Sequence, residues 1–375
     1  MKLKTPSLIT RAIGRLKKKK RFLSKIEETP GVDSTLYSPS VTQLQPNDKL
    51  SPLYAYDGSE VTAWKRQSRS CLSNLLGPIE EVDIVNSRLL WTANDNRGSI
   101  RKLQLFGEDN KPFPVYMCIP FEISPPYNWV ICLQGHSSGM HNSIGVDRDE
   151  EKYEIDAAKN SRFSDWCLMN GFAALCIEQR ALGERKETLQ VHRSPHPCHD
   201  AAMRAILLGR TLMAERIFDI KVGVRFLNQS QKEDVKSIGV MGNSLGGTLA
   251  VYSGALLEDI EFVVAGSCVA NFDDSLLSIY HCADLYIPGI RKYFEFGDIL
   301  GLIAPKPLLI VQGKNDPIFP KEGLRKAVDT ATKIYDVHDC GKEKLQVLVG
   351  DGGHMFYAKL ASQGINKFKY KGYIT

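Results

Sequence analysis

A chain of 375 residues has room for one large domain, or a medium one with an extension, and its 43% hydrophobic and 24% charged content is that of an ordinary globular protein. The formal charge of +5 is local: residues 1–25 hold ten Lys or Arg and no acid, leaving 38 basic against 43 acidic groups elsewhere, which argues against a nucleic-acid-binding body. No apolar run nears the ~18–20 residues of a membrane span and no secretory leader is legible, while nine cysteines, with Cys118, Cys132, Cys176 and Cys268 inside apolar runs, read as reduced thiols in a cytoplasmic protein.

Along the chain, Leu8, Ile9, Ala12, Ile13 and Leu16 fit one helical face behind a capping Ser7, and the basic run Lys17-Lys18-Lys19-Lys20-Arg21 follows. A basic amphipathic helix can rest on an anionic membrane surface, so weak peripheral contact through residues 1–25 stands beside the reading of a solvated or targeting extension. Residues 28–60 are rich in Pro, Ser, Thr, Asp and Gly and read as linker, so residues 1–84 are expected to be an irregular basic extension and 85–375 the catalytic domain. Strands are predicted at 99–106, 115–120, 129–134, 172–177, 237–241, 262–265, 307–311 and 345–349. Helices are predicted at 149–170, 199–227, 321–332 and in the tail after His354. That alternation implies βαβ units: a mostly parallel sheet, antiparallel at its start, with helices on both faces, the layout of the α/β-hydrolase fold.

The central motif is Gly242-Asn243-Ser244-Leu245-Gly246, directly after an apolar strand and before a helical run. A tight strand–helix turn exposes the serine at the strand end and needs small neighbours two residues to either side, which makes Ser244 the candidate nucleophile. A serine hydroxyl attacks only when a base takes its proton. His354, in Gly352-Gly353-His354 after the last predicted strand, is that candidate. The imidazole in turn needs a carboxylate. Asp316 follows the strand at 307–311 and completes the chain order Ser, Asp, His, with Asp351, Asp273 and Asp274 as weaker candidates. The oxyanion needs preorganised donors: the backbone N–H of Leu245, and one from Gln134-Gly135-His136-Ser137-Ser138-Gly139, with His136 first and Ser137 second. His192, His196, Cys198 and His199 cluster in a Pro-containing loop but offer neither a Cys pair nor a helical His pair, so no metal is expected. Glu178-Gln179-Arg180 and Glu184-Arg185 read as an ion-pair network holding loops. The segment 274–300, with Tyr280, Tyr286, Tyr293 and Phe294, falls where a cap over a pocket would lie, and packing explains it equally well.

These motifs together resemble the dienelactone-hydrolase and acetyl-xylan-esterase-like group of α/β hydrolases over roughly residues 90–360. The carriers are the 134–139 loop, Gly145-Val146-Asp147-Arg148-Asp149-Glu150, Glu178-Gln179-Arg180, Leu208-Gly209-Arg210-Thr211 and the elbow at Ser244. The run Gly301-Leu302-Ile303-Ala304-Pro305-Lys306-Pro307-Leu308-Leu309 into Asn315-Asp316-Pro317-Ile318-Phe319-Pro320, and His354, complete the set. True dienelactone hydrolases use a cysteine nucleophile where this chain has Ser244, and Asn243 is unusual for the group. The resemblance implies a serine carboxylic ester hydrolase acting on short-acyl esters of a sugar or small metabolite, with no cofactor. An acyltransferase or lactone-forming enzyme would use the same residues, and a non-catalytic ligand-binding protein would not need all three.

Overall fold

The computed structural model describes residues 51–374 apart from 137–138, 156–160, 188–195 and 339–340. The amphipathic stretch and basic run of residues 1–25 therefore lie outside the described residues, as do His192 and Ser137.

A helix, α1 (Val61–Leu76), comes first. Its carboxylate cap Glu60 accepts hydrogen bonds from the N–H groups of Thr62 and Ala63 at 2.7 Å each. Its buried positions Trp64, Ser68, Leu72 and Leu76 recur every four residues, and Trp64, Leu72 and Leu76 join the main core. The compact body thus begins at Ser51, and the segment 1–84, expected to be extension and linker, includes an element packed into it. Polar residues on the exposed side of α1 hide that stripe from a composition-based reading.

Nine strands follow as one sheet among the described residues: β1 (Ser87–Asn94), β2 (Gly98–Phe106), β3 (Pro112–Pro120), β4 (Tyr127–Leu133), β5 (Ala173–Ile177), β6 (Val235–Asn243), β7 (Phe262–Gly266), β8 (Leu308–Gly313) and β9 (Leu345–Gly350). Their order is β1-β2-β3-β5-β4-β6-β7-β8-β9. The pairs from β1 to β5 are antiparallel, and all pairs from β5 through β4 to β9 are parallel. The intervening helices are α2 (Phe163–Met169), α3 (Pro197–Leu207), α4 (Leu212–Ser230), α5 (Leu245–Leu256), α6 (Phe296–Ile303), α7 (Lys321–Tyr335) and α8 (Ala358–Tyr370).

Strand alternation divides the interior into two layers. Trp129, Ile131 and Leu133 of β4 face the layer built with α1, α4, α5, α6 and α7. Their neighbours Val130 and Cys132 face the layer built with α2 and α8. In β8, Leu308 and Ile310 go one way and Leu309 and Val311 the other. A parallel sheet covered on both faces needs such continuous apolar runs, and these runs are what made the strands predictable.

Three elements depart from expectation. The edge strand β1 is exposed at all but one position, so it shows no alternation to read. Of the helix predicted over 149–170 the described residues show α2 alone, because the Asp147 carboxylate accepts the N–H groups of Asp149 and Glu150 in a turn and Val146 bridges Glu154. The helix predicted over 199–227 is two, α3 and α4. Gly209 takes a φ of +76°, and Thr211 caps α4 with its hydroxyl on the Ala214 N–H at 3.1 Å.

Candidate active site

Ser244 sits between β6 and α5 at φ 58° and ψ −125°, a conformation that L residues adopt only when the surroundings hold them there. What holds it is close backbone approach. A Cβ on Gly242 would lie 2.3 Å from the carbonyl of Gly246, and one on Gly246 would lie 2.0 Å from the carbonyl oxygen of Leu133. The Ser244 N–H donates to the Gly266 carbonyl at 2.8 Å, anchoring the turn to β7. Leu245 opens α5, so its N–H has no intrahelical acceptor and is available to a ligand.

Asp316 and His354 arrive on the loops after β8 and β9. Backbone bonds tie these loops together: Lys314 N–H to Gly350 at 2.8 Å and Asn315 N–H to Gly352 at 3.1 Å. The Asp316 side chain is fully buried, and its Oδ2 lies 2.9 Å from Nδ1 of His354. Its Oδ1 accepts the N–H groups of Ile318 and Phe319 at 2.9 and 3.1 Å, which fixes the carboxylate plane. The Phe319 ring stacks on His354 at 5.9 Å and also meets the tilted His281 ring at 5.6 Å. The His354 loop is also held to the elbow: Met355 accepts a hydrogen bond from the Ser267 hydroxyl at 2.7 Å, and Ser267 adjoins Gly266, the acceptor of the Ser244 amide. The structure joins Asp316 to His354 directly and sets Ser244 in the adjoining turn, with no hydrogen bond between its hydroxyl and the imidazole. The other carboxylates go elsewhere. Asp351 is 96% exposed beside Lys314, Asp273 pairs with Arg291 and Asp274 with Lys326.

The 134–139 loop abuts the serine, since a Cβ on Gly135 would lie 3.2 Å from that of Ser244. Two anchors position it. At one end Gly139, at φ +98°, presses on the buried Glu178 carboxylate so closely that a Cβ would meet its Oε1 at 2.4 Å, and the Met140 N–H donates to the same oxygen at 3.2 Å. Burial pushes the Glu178 carboxyl up to about 7, against the pull of the Glu184 and Met140 amides and of His141. At the other end the His136 imidazole contacts Asp284 through Nε2 at 3.1 Å, and the Asp284 carboxylate pairs with Arg216 at 2.7 Å, neither side chain of that ion pair having any exposure. Burial alone would raise the Asp284 carboxyl, yet Arg216 and His136 hold it well below the usual carboxylate range. Next to this pair the free thiols of Cys198 and Cys282 face each other, and hydrogen bonding from Cys198 and then His136 draws the Cys282 thiol below its ordinary value.

The expected loop network is present and extends further. Arg180 pairs with Asp219, Glu108 and Glu215, Arg185 with Asp219, and Gln179 donates to the Gln134 carbonyl at the start of the 134–139 loop. In the 274–300 segment Phe294 is fully buried and stacks on Tyr54, while Tyr280 is 72% exposed and Tyr286 is partly so. His199 pairs with Asp200 and His196 lies against Tyr280, so neither joins Cys198. The anchors Asp284 and Arg216 and the clamp Phe319 were missed. Phe319 stood in a quoted motif, while nothing local marks the other two.

A mostly parallel sheet flanked on both faces, a strained serine after its central strand, and an Asp–His pair beyond the last two strands form one known arrangement. The chain has the α/β-hydrolase fold. This hydrolase fold is matched by a solved structure described as a "putative acetyl xylan esterase" from Bacteroides fragilis, at a TM-score of 0.71 and 15% identity, covering 85% of this chain and 92% of that one. A glucuronoyl esterase from Solibacter usitatus matches at a TM-score of 0.63 and 12% identity, covering 87% and 98%. In sequence the chain is 23% identical over 280 residues, 72% of its length and 88% of the relative's, to "Putative hydrolase YtaP" of Bacillus subtilis (strain 168). No protein-family model matches it.

Proposed function

We propose that this protein is a serine carboxylic ester hydrolase working through an acyl-enzyme, with short-acyl esters of a sugar or small metabolite as substrates. The observation that carries the reading is the 2.9 Å contact of buried Asp316 with His354 on loops bonded to the elbow of Ser244. In this mechanism Ser244 Oγ attacks the ester carbonyl while His354 Nε2 takes its proton. Asp316 holds Nδ1–H and stabilises the imidazolium. The backbone N–H groups of Leu245 and His136 receive the oxyanion, a contribution that typically amounts to ~10²–10³ in rate per donor. His354 returns the proton to the departing alcohol, and water repeats the sequence on the acyl-enzyme. The names of the structural neighbours, an acetyl xylan esterase and glucuronoyl esterases, favour esters of carbohydrate.

The test is hydrolysis of p-nitrophenyl acetate by the wild-type protein and Ser244→Ala. The variant is expected to lose at least about 10⁴-fold in kcat. Equal, substantial rates in both would overturn the assignment of the nucleophile.

A further inference from the structure

Among the described residues two groups of metal-ligating side chains lie outside the triad, and one of them carries sulfur. His136 Nε2, Cys198 Sγ, Cys282 Sγ and a carboxylate oxygen of Asp284 all fall within 4.8 Å of one another. They come from three places that the fold brings together: the loop after β4, the first turn of α3 and the 282–284 turn. We propose that these four side chains form a structural zinc site, a Cys₂HisAsp tetrahedron that fastens the loop after β4 to α3 and the 282–284 turn.

Three observations carry this. First, the donor set fits: two sulfurs, one imidazole and one carboxylate are what a borderline-soft dication with four-coordinate preference takes. Bonds of ~2.0–2.3 Å to a tetrahedral ion put ligand atoms about 3.3–3.8 Å apart. His136 and Asp284 already stand at 3.1 Å, and the remaining pairs need to close by about 1.5 Å at most. Second, the charges balance. Two thiolates and the Asp284 carboxylate carry three negative charges, of which buried Arg216 neutralises one and a dication the other two. Third, the outer shell is in place: Arg216 donates to Asp284 Oδ2 at 2.7 Å and is itself fixed on the Arg180 carbonyl through Nε at 3.1 Å and Nη2 at 2.9 Å. A hydrogen-bonded carboxylate is the usual companion of a ligating site. The other cluster of candidate ligands, His141, Glu151 and Glu184, has no sulfur donor, and the Lys102 ammonium sits on both of its carboxylates and leaves neither for a metal.

Cys198, which the sequence groups with His192, His196 and His199, thus turns to partners at positions 136, 282 and 284 that its neighbours in the chain do not announce. With four protein ligands the site is closed, and its role is to hold structure rather than to activate water. The inference stands independently of the esterase reading.

The experiment uses the full chain, purified under reductant, with bound metal counted by mass spectrometry. The chelator-treated protein is then titrated with Zn²⁺ and, for spectroscopy, Co²⁺. Wild type and Ser244→Ala are both expected to take up one equivalent and to show thiolate-to-cobalt charge-transfer absorption. Cys198→Ser and Cys282→Ser should each weaken binding by at least about 100-fold, beyond the range seen for losing an outer-shell partner. Cys282 is only half-buried, so its variant should fold even if Cys198→Ser does not. Failure to take up either metal, uptake equal in wild type and the Cys282→Ser protein, or a Cys198–Cys282 disulfide that persists under reductant with metal present would each overturn the site. Loss of esterase activity in Ser244→Ala with metal uptake intact keeps this test separate from that of the nucleophile.

Discussion

Asp316 illustrates how a single side chain is committed to one task. One oxygen is spent on two backbone amides, which leaves the other to orient His354. Asp316→Asn keeps the volume, and with its oxygen retained by the Ile318 and Phe319 amides it presents an NH₂ group to Nδ1, so the imidazole takes the wrong tautomer. A loss of about 10³–10⁴-fold in kcat is expected, with KM nearly unchanged, measured on the same acetyl ester. Glu178 supplies a second test. Its folded pKa of about 7 lies above the ~4.3 of an unfolded glutamate, so the native state holds the proton more tightly. Its contribution to stability is therefore fully present below about pH 4.3 and is lost as pH rises towards 7. Glu178→Gln is neutral throughout and carries a constant cost for one lost acceptor. The Tm of the variant relative to wild type should rise between pH 5 and pH 8, and a flat difference would remove the raised pKa. The elbow was legible because its demands are steric and local, two glycines within two residues of a serine. The His136–Asp284–Arg216 anchor was not, because its partners lie 148 and 68 residues apart and each is an ordinary residue in its own stretch.

At the scale of elements, periodicity located the parallel strands and missed what was either exposed or thinly apolar. Strand β1 has no buried face to betray it, and of the residues that α1 buries two, Lys65 and Ser68, are polar. Leu72 on α1 is fully buried, whereas Asn74 on the same helix is exposed. Leu72→Ala should lower stability by about 2–5 kcal/mol, seen as a shift of the urea midpoint at constant m, while Asn74→Ala should shift it little. That contrast checks whether 51–84 belongs to the folded body or is a linker. The helix break at Gly209 shows the opposite error. Apolar spacing continued through 199–227, and only the positive φ at one glycine and the Thr211 cap divide it.

For the molecule as a whole, charge and fold separate. The basic residues concentrate in 1–25, outside the described body, and no described helix is long and apolar enough to cross a membrane. Deleting residues 1–25 should leave kcat/KM for a small soluble ester within about twofold of wild type, since a basic segment acts on partners and surfaces rather than on the fold. A large loss with the fold intact would mean that the segment contributes to the site.

The alternation of β4 and β8 between two interior layers has a consequence for how the protein comes apart. Each strand is a wall shared by both layers, so neither layer can be exposed while the other keeps its contacts. The body should behave as one cooperative unit, with Trp129 in one layer and Trp166 in the other losing their surroundings in the same event.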